Sequence, residues 1–158
     1  MERVHRRAVF GLWATGAVSA VTAACGSRGS SVIQTPEGPV LQLEKDEFLV
    51  LVSGFQPAYR AGEQVAVKVI LNNQSRRFAT ARVRTRILGR GDQAVVEAEV
   101  ATVNVRPTDA TSLDRSVLLP NNLSPGDYTL SVELPPWSFE GRQVGGGRLD
   151  TPIRIEPA

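Results

Sequence analysis

Short stretches in which every second residue is apolar dominate the chain from about residue 41 onward. They are clearest in segments 64–72, 79–88 and 127–134, and Gly, Pro, Asn and Asp separate one stretch from the next. A period of two places successive side chains on opposite faces of a strand. One buried and one solvated face is typical of antiparallel sheets, so the pattern predicts an all-β fold. The alternating apolar residues include Val65, Val67, Val69, Leu71, Ala81, Val83, Ile87, Leu130 and Val132.

The turn residues divide this region into seven predicted strands. No segment after the first 24 residues shows the apolar period of an amphipathic helix. The sequence therefore predicts a seven-stranded antiparallel sandwich that follows an N-terminal signal segment. The predicted strands lie near 46–53, 64–72, 79–88, 93–105, 112–119, 127–134 and 149–156.

Two turn motifs add a resemblance to a known architecture. Leu123-Ser124-Pro125-Gly126-Asp127-Tyr128-Thr129-Leu130 resembles the tyrosine corner of immunoglobulin-like and fibronectin type III-like sandwiches, and Tyr59-Arg60-Ala61-Gly62-Glu63 resembles a turn found in bacterial immunoglobulin-like modules. The resemblance covers about residues 44–156. It implies that Tyr128 donates a hydrogen bond to upstream backbone. It implies an architecture and no particular function, because this sandwich carries many roles.

The first 25 residues have the parts of an export signal. Arg6 and Arg7 precede an apolar stretch and resemble a twin-arginine signal, and Thr22-Ala23-Ala24-Cys25 resembles a bacterial lipobox. These resemblances imply an extracytoplasmic protein that is anchored to the bacterial cell membrane by lipid on Cys25. Three alternatives remain open at this point: ordinary Sec export, an uncleaved membrane anchor, and simple cleavage that leaves a free thiol.

Composition suggests three parts and excludes several kinds of chemistry. We expect a signal peptide over 1–24, a flexible lipid-anchored tether over 25–43 and a sandwich domain over 44–158. His5 and Cys25 are the only histidine and cysteine, so the expected domain has no Ser-His-Asp or Cys-His site, no His or Cys metal ligands and no internal disulfide. We expect no cofactor.

The charge of the expected mature chain is balanced. Residues 1–24 hold three of the 18 basic and one of the 16 acidic residues, which leaves 15 of each. A nucleic-acid-binding domain usually has a net basic face, so we expect no nucleic-acid partner.

Three arginines alternate along the third predicted strand. If Arg90-Gly91 forms the tip of the following hairpin, Arg84 lies opposite Glu97 and Arg82 lies opposite Glu99. Facing glutamates would then neutralise the arginine stripe. The alternative is a stripe that binds anions.

Three loops are expected to meet at one end of the sandwich, at about 72–78, 106–111 and 135–148. The last loop is long and carries two aromatic residues, which is typical of a functional segment. We therefore predict a contact patch for an envelope protein or a glycan. The alternative is that Trp137 and Phe139 fold back as a lid on the core edge. The candidate patch residues are Asn73, Arg76, Arg77, Phe78, Trp137, Phe139 and Arg142.

The sequence thus predicts a non-enzymatic binding or accessory module of the cell envelope. A stalk or spacer without a specific ligand is the second hypothesis. A small extracytoplasmic hydrolase is the third.

Overall fold

The computed structural model describes residues 30–157, which form thirteen strands, one short 3₁₀ turn at Arg90–Asp92 and no α-helix. The predicted all-β class and its antiparallel sheets are confirmed. One pair of strands, at the edge of the second sheet, is parallel.

The first sheet has five antiparallel strands in the order β1-β2-β3-β5-β9. Strand β5 is central to its packing, since it pairs with β3 on one side and with β9 along nearly its whole length on the other. The strands are β1 (Ser30–Thr35), β2 (Gly38–Lys45), β3 (Phe48–Ser53), β5 (Gln64–Asn73) and β9 (Ala110–Leu118).

The second sheet has the order β4-β13-β10-β6-β7, and β8 pairs with the first half of β6 while β7 pairs with its second half. A separate two-stranded hairpin, β11–β12, lies between β10 and β13 in the sequence. The strands are β4 (Ala58–Arg60), β6 (Ala79–Leu88), β7 (Ala94–Glu97), β8 (Ala101–Val105), β10 (Gly126–Leu134), β11 (Trp137–Phe139), β12 (Arg142–Val144) and β13 (Gly147–Glu156).

The core lies between the two main sheets and uses the alternating residues found in the sequence. Val65, Val69, Val83 and Leu130 are completely buried, whereas their neighbours Ala66, Lys68 and Arg82 are exposed. Burying one such aliphatic side chain stabilises the fold by about 1.5–3 kcal/mol. The inward-facing row of each long strand therefore holds the two sheets together.

The strand count of seven is wrong, because six further strands are present in residues 30–157. The flexible tether predicted over 25–43 is wrong for its larger part, because residues 30–43 form β1 and most of β2. Pro36 and Glu37 make a two-residue turn between Thr35 and Gly38, and Leu41 and Leu43 are core residues. The folded part therefore includes residues from Ser30 onward rather than from 44.

The register predicted for the hairpin with its tip at Arg90-Gly91 is also wrong. Glu97 lies opposite Arg86 rather than Arg84, and Arg82 lies opposite Thr102. The connection is longer than a two-residue turn: the N–H of Gly89 donates to the carbonyl of Gln93 across the 3₁₀ turn, and the register shifts between Ile87 and Leu88.

Two arginines of the stripe are paired from the opposite side of β6. Glu133 on β10 lies 3.7 Å from Arg84 and 2.8 Å from Arg86. One carboxylate of β10 therefore pairs with two of the three arginines, whereas the predicted partners were Glu97 and Glu99 of the hairpin.

The strand directions give the domain two distinct ends. We call one the Glu47 end; it consists of the turn at 46–47 and the loops 74–78, 106–109 and 135–146. We call the other the Tyr128 end; it consists of the segments 54–63, 89–93 and 119–125, with Tyr128 at the start of β10.

Candidate functional site

The three loops predicted to meet do meet at the Glu47 end, and the turn between β2 and β3 lies among them. The backbone N–H of Gln74 donates to the carbonyl of Glu47 (2.8 Å). The N–H of Asn73 donates to the carbonyl of Asp109 (2.9 Å), and that of Thr108 to the carbonyl of Ser75 (3.1 Å). Backbone hydrogen bonds thus join segments that lie about 30 residues apart in the chain.

Asn73, a predicted patch residue, is completely buried and acts as a scaffold for these loops. Its Nδ2 donates to the carbonyls of Arg77 (2.8 Å), Val105 (3.1 Å) and Arg106 (3.1 Å). Its Oδ1 accepts from the N–H and hydroxyl of Ser75. A side chain with this many internal bonds holds two loops together and offers no atom to a partner.

Glu47 is the electrostatic centre of this end. Its Oε1 accepts hydrogen bonds from Nε of Arg77 (2.7 Å) and Nη1 of Arg142 (3.2 Å). Its side chain is 21% exposed. Burial by itself raises the pKa of Glu47, but the two arginines outweigh that effect and hold the pKa below its usual value. The carboxylate therefore stays ionised and links two loops to the first sheet.

The β11–β12 hairpin folds against the domain at this end. The rings of Trp137 and Phe139 lie 5.3 Å apart, and the guanidinium of Arg82 lies 4.2 Å from the centre of the Trp137 ring, a cation–π distance. Both aromatic side chains are half-buried, and Ser138 between them is exposed. These contacts pack the β11–β12 hairpin, which we call the lid, against β6 of the second sheet.

Two backbone N–H groups fix the chain where it leaves this hairpin. The N–H of Gly145 donates to Oδ2 of Asp46 (2.8 Å), and the N–H of Gly146 donates to the carbonyl of Leu134 (2.6 Å). Gly145 has a φ of +85°, and a Cβ there would lie 2.6 Å from the carbonyl oxygen of Pro135. Only glycine fits this close approach.

A cavity of about 90 Å³ lies between the lid and the sheets. Phe48 and Phe139 form apolar walls, and Thr80, Glu47 and Arg142 supply polar groups. Such a volume holds several water molecules or a small polar group, and is smaller than the pocket a drug-sized ligand needs.

Of the seven predicted patch residues, two point freely into solvent. Phe78 is 65% exposed and Arg76 is also exposed. The remaining five take part in the bonds and packing described above. Sequence reasoning missed Glu47 and Asp46, which it placed at the start of the first predicted strand. The charged run Lys45-Asp46-Glu47 is the signal that the sequence offers for this turn, in which Asp46 has a φ of 55°.

At the Tyr128 end, two tyrosine hydroxyls bond to backbone groups nearby in the sequence. Tyr128 Oη donates to the carbonyl of Ser124 (2.9 Å), the bond that defines a tyrosine corner. Tyr59 Oη accepts from the N–H of Gln56 (2.7 Å). Burial and, to a smaller extent, the charge of Glu63 raise the pKa of Tyr59, although the bond from Gln56 opposes the shift.

Some predicted features lie outside the described residues. These are the signal peptide over 1–24, the pair Arg6 and Arg7, and the lipidation site Cys25. Between residues 30 and 157 there is no helix with the length and apolar character that crossing a bilayer requires. The same part of the chain has no cluster of three or more His, Cys, Asp or Glu side chains arranged to hold a metal ion.

The fold is similar to parts of larger proteins of known structure. A β-glucosidase from Listeria innocua in complex with glucose has a TM-score of 0.54 and 13% identity, over 70% of this chain and 16% of that enzyme. A family 123 glycoside hydrolase from Clostridium perfringens has a TM-score of 0.47 and 10% identity, over 64% of this chain and 22% of the hydrolase. An alkylpurine DNA glycosylase from Pseudomonas fluorescens has a TM-score of 0.46 and 12% identity, over 68% of this chain and 30% of the glycosylase.

This chain spans less than a third of the length of each of these proteins. At such low identity the likeness to the β-glucosidase concerns the fold alone. The sequence matches no protein-family model and no curated protein.

Proposed function

We propose that this protein is a non-enzymatic lipoprotein of the bacterial cell envelope that works as a binding or accessory module. Residues 1–24 direct its export, with Arg6 and Arg7 as a twin-arginine pair, and lipid on Cys25 anchors it outside the cytoplasm. In this proposal the sandwich is immunoglobulin-like, and β7 and β8 together count as one of its seven strands. The other six are β3, β5, β6, β9, β10 and β13. The β1–β2 hairpin, the short edge strand β4 and the β11–β12 hairpin are additions to that sandwich.

The observation that carries this proposal is the position of Cys25. It ends a lipobox-like sequence, and four residues separate it from β1. A lipid-modified cysteine directly before a folded domain holds that domain close to a bilayer. The chain has no second cysteine that could take the modification.

Membrane fractionation of cells that express the full chain tests the anchor. We expect the wild type in the membrane fraction and in the detergent phase, and Cys25→Ala in the soluble extracytoplasmic fraction. Equal partition of the two would contradict lipid anchoring. In the same assay we expect the double variant Arg6→Lys/Arg7→Lys to remain in the cytoplasm, because it lacks the twin-arginine pair. Continued export of this variant would indicate the Sec route.

The chemistry of the Glu47 end supports a non-enzymatic role. Asp46 and Glu47 are the two carboxylates that line the cavity. Asp46 is bonded to Gly145 and pairs with Lys45 at 3.6 Å, and the arginines lower the pKa of Glu47. A hydrolytic general acid needs a raised pKa, so the lowered pKa of Glu47 is the opposite of that tuning.

An apolar row on the outer face of the first sheet favours a binding module over a stalk. Leu49, Leu51 and Ile70 are partly exposed, and Leu51 lies directly opposite Ile70. Apolar side chains grouped on a solvent-facing sheet are typical of a protein contact surface. The proposed partner is therefore an envelope protein, with a glycan as the alternative.

In-cell photo-crosslinking separates the binding module from the stalk. A photoreactive residue at Leu51 should yield one dominant protein adduct. The matched control is Lys68, which is exposed on the same sheet face beside Asp114. Diffuse products at both positions would support the stalk, and a dominant glycan adduct would replace the protein partner.

A further inference from the structure

The chain enters the domain at the Glu47 end. Ser30 pairs with Leu43, and β1 runs antiparallel to β2, which ends at Lys45. Ser30 therefore lies two residues along the strands from the row formed by Lys45, Phe48 and Asn73. The loop 74–78 begins directly after that row.

The distance from Cys25 to Ser30 limits how the anchored domain can stand on a bilayer. Five residue steps span at most about 18 Å even when fully extended. The opposite end lies farther away than this: from the row of Leu71, level with Ser30, to Gln64 there are seven residues of strand, or roughly 24 Å. The Tyr128 end therefore cannot face a bilayer that holds Cys25.

The Glu47 end has the chemistry of a membrane contact. Phe78, which is 65% exposed, is the last residue of the loop 74–78, directly before β6. Arg76 and Arg106 on the adjoining loops are exposed and make no ion pair within the described part of the chain. An aromatic residue beside unpaired arginines suits the boundary between acyl chains and anionic headgroups.

We infer that the Glu47 end docks on the membrane that holds Cys25, with Phe78 inserted at the interface and Arg76 and Arg106 against anionic lipid headgroups. This inference rests on the proposed lipidation of Cys25. It gives the candidate patch a lipid surface as its occupant and leaves the outer face of the first sheet free for a protein.

The experiment uses chemical anchoring, so that its result does not depend on natural lipidation. The chain from Cys25 onward is coupled through its sole thiol to a maleimide lipid. The vesicles contain equal parts of phosphatidylcholine and phosphatidylglycerol, with brominated acyl chains that quench tryptophan fluorescence on contact. A Trp137→Phe background makes an introduced indole the only one, because Trp13 lies in the removed segment.

Two positions of matched exposure report the orientation. Phe78 is 65% and Leu118 is 66% exposed, and Leu118 pairs with Gln64 at the opposite end. We expect the fluorescence of Phe78→Trp to be quenched and shifted to shorter wavelength, and that of Leu118→Trp to match the uncoupled chain. Equal quenching at both positions, or quenching at Leu118 alone, would overturn the orientation.

Quenching at neither position would overturn docking, even if Cys25 proves to be lipidated in cells. A charge reversal adds a second readout: Arg76→Glu should shift the docked equilibrium of Phe78→Trp at least about fivefold toward the undocked state. Arg60→Glu, at the Tyr128 end, is the control and should leave it unchanged. Equal effects of the two reversals, or a dominant protein adduct at Phe78 in cells, would contradict a lipid occupant.

Discussion

The two ends of this domain are built from different kinds of contact. At the Tyr128 end, tyrosine hydroxyls bond to backbone groups three or four residues away, as Tyr59 does to Gln56 and Tyr128 to Ser124. At the Glu47 end, one carboxylate joins Arg77 and Arg142, which lie 30 and 95 residues away. The tyrosine contacts of the first end are neutral and local, whereas the Glu47 contacts of the second end are ionic and depend on the tertiary fold.

This difference predicts how each end responds to its surroundings. Ionic contacts near the surface weaken with added salt and on protonation of a carboxylate, whereas neutral tyrosine bonds respond to neither. The Glu47 end, which we infer to dock on the membrane, is also the end whose contacts weaken with salt and at low pH. The predictions below test this contrast, from the largest expected effect to the smallest.

At the Glu47 end, the backbone of Gly145 lies close to the carbonyl groups of Leu134 and Pro135. Gly145→Ala should lower the free energy of unfolding by about 3 kcal/mol or more, because its Cβ would meet two backbone carbonyl oxygens at a positive φ. Gly62→Ala at the Tyr128 end is the matched control: it also has a positive φ, but its Cβ would meet only the side chain of Asn121. We expect that substitution to cost about 1–2 kcal/mol. Equal losses in urea unfolding would refute the distinction.

Removing one carboxylate at each end compares a carboxylate shared by two arginines with one that accepts a single backbone bond. Glu47→Ala should cost about 1.5 kcal/mol, because two arginines lose their shared acceptor. Glu63→Ala, which loses only an exposed bond from the N–H of Arg60, should cost about 0.5 kcal/mol. In 1 M NaCl, where the Debye length is about 3 Å, the loss at Glu47 should shrink. A loss that does not change with salt would show that Glu47 acts through packing.

The tyrosine corner supplies the neutral counterpart. Tyr128→Phe removes the bond to Ser124 and should cost about 1 kcal/mol, the usual contribution of one neutral hydrogen bond. Thermal unfolding in low and high salt should give the same loss. A salt-dependent loss would mean that the two ends are not chemically distinct.

The pH dependence of stability should have opposite signs at the two ends. The pKa of Glu47 is lowered, so its contribution is present above the usual value of 4.5 and is lost as the pH falls through the folded-state pKa. The pKa of Tyr59 is raised, so its contribution is present below the usual value of 10.0 and is lost as the pH rises through the folded-state pKa.

Single variants assign these two limbs. Glu47→Gln should flatten the acid limb of the unfolding free energy and leave the alkaline limb intact. Tyr59→Phe should do the reverse. If either variant alters both limbs equally, the pH response is global and belongs to neither end.

Sequence reasoning succeeded where contacts are local or periodic. Strand β6 was predicted at its observed bounds, and β5 and β10 within one residue, because a period of two held over eight to ten residues in each. The β1–β2 hairpin was missed because Ser, Pro and Gly suggested a linker, although Leu41 and Leu43 already alternate. A two-residue turn at Pro36 and Glu37 looks the same in a linker and in a hairpin.

The site was predicted only in outline. Strand order alone was enough to bring three loops together, but the sequence does not show which charges meet across 30 or 95 residues. The sequence pattern therefore does not indicate the role of Glu47, and it predicts Asn73 as a contact residue although Asn73 is buried. The wrong hairpin register has the same origin, because the 3₁₀ turn and the shift after Ile87 depend on how β6 packs.

The central claim is that lipid on Cys25 holds this domain at a membrane, and intact mass spectrometry of the chain extracted from membranes tests it most directly. The account predicts a chain that begins at Cys25 and is heavier than its sequence by the mass of acyl chains. A chain of unmodified mass, or one that begins at another residue, would contradict it.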